Sequence, residues 1–196
     1  MKPDSNKKMR IIIGMSGASG PQYGIRLLEV LKKFENIETH LVISEGAKKN
    51  ILLESDRTVE QVEALADFVY SNNDLEASIS SGSFRTEGMV IAPCSVKTLS
   101  GVANSFNTNL LIRAGDVVLK EKRKLIIVFR ETPLHLGHLR LLAQVSEIGA
   151  VIMPPVPAFY HHPKTIQDII DQTIGKVLDQ FGLDNQLFKR WQGPPV

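Results

Sequence analysis

The chain has a single cysteine, Cys94, among 196 residues, so it forms no internal disulfide and holds no cysteine-rich zinc site. That scarcity fits a reducing compartment, and a cytoplasmic address is expected. Charge of one sign is also missing. The net charge is only +2, with basic and acidic residues interspersed rather than gathered in a stripe, which argues against electrostatic capture of nucleic acid and leaves a small anionic molecule as the expected partner. Long hydrophobic runs are absent as well. Residues 1–10 are polar and charged, and the apolar stretch after them is far too short for a signal peptide or a membrane span. No internal repeat, low-complexity tract or linker interrupts the chain. One domain over 1–196 is expected, with 1–9 flexible.

What is present begins with Ile11-Ile12-Ile13-Gly14-Met15-Ser16-Gly17-Ala18-Ser19-Gly20. Three consecutive β-branched residues suit a strand buried on both faces. The small residues after them allow a sharp turn with free amide N–H groups, and Ser16 and Ser19 add hydroxyl donors. Tyr23, Leu27, Leu28 and Leu31 then recur at helical spacing, so a helix N-terminus points into the same loop, as an anion site requires. A tight turn without a ligand has the same pattern.

Further apolar runs at 39–44, 89–94, 125–130 and 150–153 read as short buried strands. Segments at 59–70, 110–120, 136–148 and 166–181 have helical periodicity, and 71–88 reads as a long polar loop. This alternation predicts an α/β, Rossmann-like three-layer fold with a central, mostly parallel sheet and ligands at the carboxyl ends of its strands. Those ends carry Ser44, Pro93-Cys94-Ser95, Arg130-Glu131-Thr132-Pro133 and a proline-rich segment leading to Tyr160.

Each candidate has a structural reading beside the functional one. Ser95 suits either an N-cap or a donor to a flavin or nucleotide, and the serines at 80–83 offer similar donors. Cys94 is either a small buried hydrophobe or a nucleophile, and no adjacent base favours the thiolate. Arg130 can clamp a phosphate and Glu131 can move a proton, or the two form an ion pair at a strand end. Arg113, Lys120 and Lys176 lie in predicted helices, where a cation ordinarily faces solvent. His135, His138, His161 and His162 lack the acidic or cysteine partners of a metal site, and no metal is expected.

Taken together, 14–20, 80–83, Pro93-Cys94-Ser95, Arg113-Ala114, Leu119-Lys120-Glu121, Arg130-Glu131-Thr132-Pro133 and Ala158-Phe159-Tyr160-His161 resemble the flavin prenyltransferase family, the UbiX-like proteins. Residues 79–84 and 132–139 are most similar to the branch known as the small subunits of phenolic or hydroxyarylic acid decarboxylases. The resemblance implies transfer of the dimethylallyl group of dimethylallyl phosphate to N5 and C6 of reduced FMN, with prenylated FMN passing to a UbiD-type decarboxylase. It implies FMN binding by Gly17, Ala18, Ser19, Ser44, Ser95, Val96, Lys97, Thr98 and Arg130. Catalytic roles fall to Ser19, Glu54, Lys120 and Glu131, and donor binding to Arg113, Lys120, Tyr160, Lys176 and Trp191. Lys176 stands where the family pattern has arginine; it keeps the charge but not the planar fork. The resemblance further implies a homo-oligomer, commonly a dodecamer of trimers, with sites at subunit contacts and the 182–196 segment at one of them. Two other functions share this core: an FMN-dependent decarboxylase of cysteine-like thiols, whose usual histidine and Asn-rich motif are not evident here, and an FMN carrier or stabilising subunit of a decarboxylase complex.

Overall fold

The structure, a computed structural model, describes residues 8–193. The elements run β1 (Met9–Met15), α1 (Gln22–Leu31), β2 (Ile37–Ile43), α2 (Glu45–Glu54), α3 (Val59–Glu63), β3 (Phe68–Tyr70), a 3-10 turn (Ser78–Ser80), β4 (Gly88–Cys94), α4 (Val96–Ala103), α5 (Leu110–Lys120), β5 (Lys124–Phe129), α6 (Leu136–Glu147), β6 (Val151–Ile152) and α7 (Ile166–Gln180). The chain divides into two compact units, one ending at Pro154 and the other beginning at Pro155.

In the first unit the strands form one six-stranded sheet in the order β3-β2-β1-β4-β5-β6, with every adjacent pair parallel. Parallel strands covered on both faces read as continuous apolar runs, which is why Ile11, Ile12 and Ile13 and the whole of β4 are buried. Strand order reverses between β1 and β4, so the crevice at their carboxyl ends is where an open α/β sheet takes its ligand. Gly24 lets α1 lie close upon this strand pair: a Cβ there would fall 2.3 Å from the Ala92 carbonyl oxygen.

Two expectations need correction. The segment 59–70 is not one helix. It holds the five-residue α3, closed at its start by a capping box between Thr58 and Gln61, and then the edge strand β3, paired to β2 through His40, Leu41 and Val42. The 71–88 loop also contains the 3-10 turn. The flexible segment expected over 1–9 falls outside the described residues for 1–7, and Met9 already belongs to β1.

The second unit is α7 and the segment that folds back on it. Thr165 and Asp168 form a capping box at the helix start. Further along, the Asn185 amide donates to the Gly175 carbonyl at 3.2 Å. The Phe188 ring lies so close to Gly175 that any Cβ there would fall 2.6 Å from it. Among the described residues no helix is long and apolar enough to cross a membrane.

Candidate active site

The crevice is built from the loops that leave β1, β2, β4 and β5. At its floor the buried Ser16 hydroxyl donates to the Pro93 carbonyl at 3.0 Å and accepts the Ser95 N–H at 2.8 Å, tying β1 to β4. Ser16 therefore does not offer its hydroxyl to a ligand, contrary to expectation. Ser95 caps α4, accepting the Thr98 N–H at 3.4 Å, and Ser44 caps α2, accepting the Ala47 N–H at 3.2 Å. Both helix starts thus face the carboxyl edge, where their first-turn N–H groups have no helical partner. Gly17 and Gly46 meet backbone to backbone, since a Cβ on either would lie 3.1 Å from the other's Cα. The bare glycine contact keeps this wall thin and its amides accessible.

The 17–20 loop hangs on α2. The Asn50 amide donates to the Ala18 carbonyl at 2.8 Å. One turn later a single Glu54 carboxylate oxygen accepts both the Ser19 hydroxyl at 2.9 Å and the Gly20 N–H at 2.8 Å. A carboxylate holding a half-buried hydroxyl is a ready proton-relay pair. Asn50 escaped the sequence reading, although its spacing of one helical turn from Glu54 was visible. Val96, Lys97 and Thr98 form the first turn of α4, with Lys97 exposed.

Arg130 leaves β5 with its N–H on the Cys94 carbonyl at 3.1 Å and its side chain exposed. Among the described residues it forms no ion pair with Glu131, whose carboxylate instead accepts the Thr132 N–H at 3.0 Å. Cys94 is fully buried, and that burial pushes its thiol above the ordinary cysteine range, which disfavours the thiolate. His135 caps α6 by accepting the Gly137 N–H at 3.0 Å. Among the described residues no group of three or more His, Cys, Asp and Glu side chains is placed to hold a metal ion.

Arg113 and Lys120 lie toward opposite ends of one helix. Both lie on α5, which leads into the amino end of β5, so Lys120 sits at the sheet edge opposite to Ser19 and Arg130, about 20 Å away by strand length. Lys120 pairs with Glu121 there. Arg113 donates from Nε to the Ser80 carbonyl at 3.1 Å and lies 3.4 Å from Asp116. The serines at 80–83 are likewise used locally, Ser81 and Ser83 bonding each other at 2.8 Å. One chain alone does not bring Lys120 to the carboxyl edge.

In the second unit Tyr160 and Trp191 meet edge to face at 6.2 Å and line a cavity of about 510 Å³ with His162, Lys189 and Arg190. Arg190 grips Asp179 with two bonds of 2.6 and 2.9 Å, and Lys176 approaches the same carboxylate at 3.6 Å. The Arg190 hydrogen bonds hold the Asp179 carboxyl below the usual aspartate range. Arg190 is a cation that the sequence reading missed; its position beside Trp191 was the available signal.

The chain is similar in sequence and fold to known proteins. The family model described as Flavoprotein matches residues 1–178. A flavin prenyltransferase UbiX of Thauera aromatica is 63% identical over 185 residues, covering 94% of this chain and 95% of the relative. The solved structure of AnUbiX (PadA1) in complex with FMN and dimethylallyl pyrophosphate superposes with a TM-score of 0.94 at 48% identity, covering 96% of this chain and 100% of the other. A dodecameric FMN-dependent UbiX-like decarboxylase from Escherichia coli O157:H7 superposes with a TM-score of 0.93 at 49% identity, covering 94% and 100%. The chain belongs to the Flavoprotein family and, within it, to the UbiX-like flavin prenyltransferases.

Proposed function

We propose that this chain joins the dimethylallyl group of dimethylallyl phosphate to N5 and C6 of reduced FMN, making prenylated FMN for a UbiD-type decarboxylase in the cytoplasm. The observation that carries the reading is the carboxyl-edge crevice, in which the 16–20 loop leaves β1 against the capped starts of α2 and α4 and carries the Ser19–Glu54 pair, within a chain so similar to flavin prenyltransferases. The donor set suits FMN. Two helix N-termini, a glycine-lined wall, the Ser44, Ser95 and Thr98 hydroxyls and the Arg130 guanidinium together match a phosphate tail and a polar ring edge. When bound, reduced FMN supplies the electron-rich N5 and C6 that accept the five-carbon group.

The chain's own work is electrostatic and positional. The family resemblance assigns the donor phosphate to Arg113, Lys120, Lys176 and Tyr160, cations and a hydroxyl that suit a leaving group gaining negative charge. Tyr160 and Trp191 offer aromatic faces to the allylic cation. Ser19, held by Glu54, passes a proton at the crevice, with Glu131 as the second acid–base group. Because Lys120 lies at the far sheet edge, it serves the crevice of another copy, and the site is complete only in a homo-oligomer, a dodecamer by resemblance. Prolonged incubation with reduced FMN and dimethylallyl phosphate without oxygen, followed by flavin mass measurement, tests the reading. A gain of one five-carbon unit supports it. An unchanged flavin overturns it in favour of a carrier, and carbon dioxide release from a peptide thiol overturns it in favour of a decarboxylase.

A further inference from the structure

Of the five histidines only His40, in the middle of β2, is inside the protein, 2% exposed. Both its ring nitrogens are engaged: Nε2 lies 2.9 Å from a Glu38 carboxylate oxygen and Nδ1 lies 2.9 Å from the Tyr70 hydroxyl. A carboxylate can only accept, so Nε2 carries the proton and Nδ1 accepts from Tyr70. The phenol oxygen is then free to accept from the Ser78 hydroxyl, 3.1 Å away. Ser78 opens the 3-10 turn that ends at Ser80, and the Ser80 carbonyl receives Arg113 Nε. A directional hydrogen-bond chain therefore runs from Ser78 to Glu38 on β2, and the short turn that Ser78 opens carries the carbonyl that receives the Arg113 guanidinium.

The same hub grips the other end of that segment. The Glu38 carboxylate also accepts from Arg10 Nε at 2.7 Å, and the Arg10 guanidinium lies 4.7 Å over the Phe84 ring. His40 meets Phe84 edge-on at 5.1 Å and stacks on Phe68 at 4.9 Å. The Gly82 and Phe84 carbonyls in turn hold Arg123 at 2.6 and 2.7 Å. Lys120 sits against Gly82, where a Cβ would come within 2.8 Å of its ammonium nitrogen. An apolar residue beside the buried Leu41 and Val42 would avoid the desolvation of this polar chain, so its gain lies in direction rather than in raw stability.

We propose that His40 is a positioning residue, whose hydrogen-bond chain through Tyr70 and Ser78 sets the 78–84 segment and thereby aims Arg113 at the donor phosphate. The inference rests on the assignment of Arg113 as a donor-phosphate ligand. The test uses Tyr70→Phe, which deletes one hydroxyl and keeps the ring, alongside Arg113→Ala and the double variant, with prenylation kinetics and FMN affinity measured for each. Tyr70→Phe is expected to raise the KM for dimethylallyl phosphate about five-fold, as loss of one net hydrogen bond predicts. Its kcat and FMN affinity stay within about two-fold, and it adds nothing in the Arg113→Ala background. Ser78→Ala shows the same selective effect. If Arg113→Ala raises the donor KM while Tyr70→Phe does not, or if the two effects add in full, the positioning role is overturned and Arg113 stands. If Arg113→Ala leaves the donor KM unchanged, both assignments fall.

Discussion

Ser16→Ala is the sharpest probe of the β1–β4 junction. The serine is 1% exposed, and its hydroxyl is the acceptor for the Ser95 N–H at 2.8 Å. The Pro93 carbonyl would keep a partner after the substitution, because the Ser16 N–H also reaches it at 3.1 Å. The Ser95 N–H would not. One buried donor left without an acceptor costs about 1–3 kcal/mol, so the variant should lose about 2 kcal/mol of stability. For a chain of this length that corresponds to a fall in Tm of about 4–8 °C at fixed protein concentration. Ser19→Ala is the matched control. Its hydroxyl is half-buried and the Glu54 oxygen retains the Gly20 N–H at 2.8 Å, so its loss should stay below about 1 kcal/mol. Calorimetric melts of both variants decide the matter. A Ser16→Ala protein that melts with the parent, or above Ser19→Ala, refutes the claim that this hydroxyl ties the two strands.

Gly24→Ala should cost more than any of these, at least about 1–3 kcal/mol, because its Cβ meets the backbone carbonyl of Ala92 at 2.3 Å and neither strand nor helix can move aside; soluble yield and urea midpoint report it. Lys176→Ala should raise the dimethylallyl phosphate requirement with FMN binding intact and Tm nearly unchanged, since Arg190 and Asn185 still hold Asp179; kinetics against donor concentration check this. Lys176→Arg should lower the donor KM by restoring a two-pronged grip. Burial lowers the pKa of His40 below 6.5, with Glu38 only partly pulling it back, so the folded chain takes up a proton there at lower pH than the unfolded chain does. That stability is therefore complete above about pH 6.5 and lost as pH falls below it, and urea midpoints across this range should decline less in His40→Asn.

The carboxyl-edge half of the site was legible because three signals coincide there. An isoleucine run breaking into glycines places a strand end, Ser95 marks a helix start, and a parallel sheet brings such ends to one edge, whereas the helix that Ser44 caps was not read. β3 was hidden for an equally physical reason. It is an edge strand of only three residues, Phe68-Val69-Tyr70, a run too short to stand out behind the helical spacing of the residues before it, and Phe68 and Val69 are each nearly half exposed. Its anchor, the Asp67 carboxylate on the Thr39 N–H and hydroxyl at 2.8 and 2.9 Å, joins residues far apart in the chain. The separation of Lys120 from Arg130 could have been read directly. In an alternating parallel fold a helix that runs into a strand must end at the amino edge, and Lys120 closes the helix just before β5. Charge alone suggests a phosphate ligand, but chain direction decides which edge it serves. For Lys120 the two agree only if the edge of one copy meets the crevice of another, so the proposed reaction requires assembly.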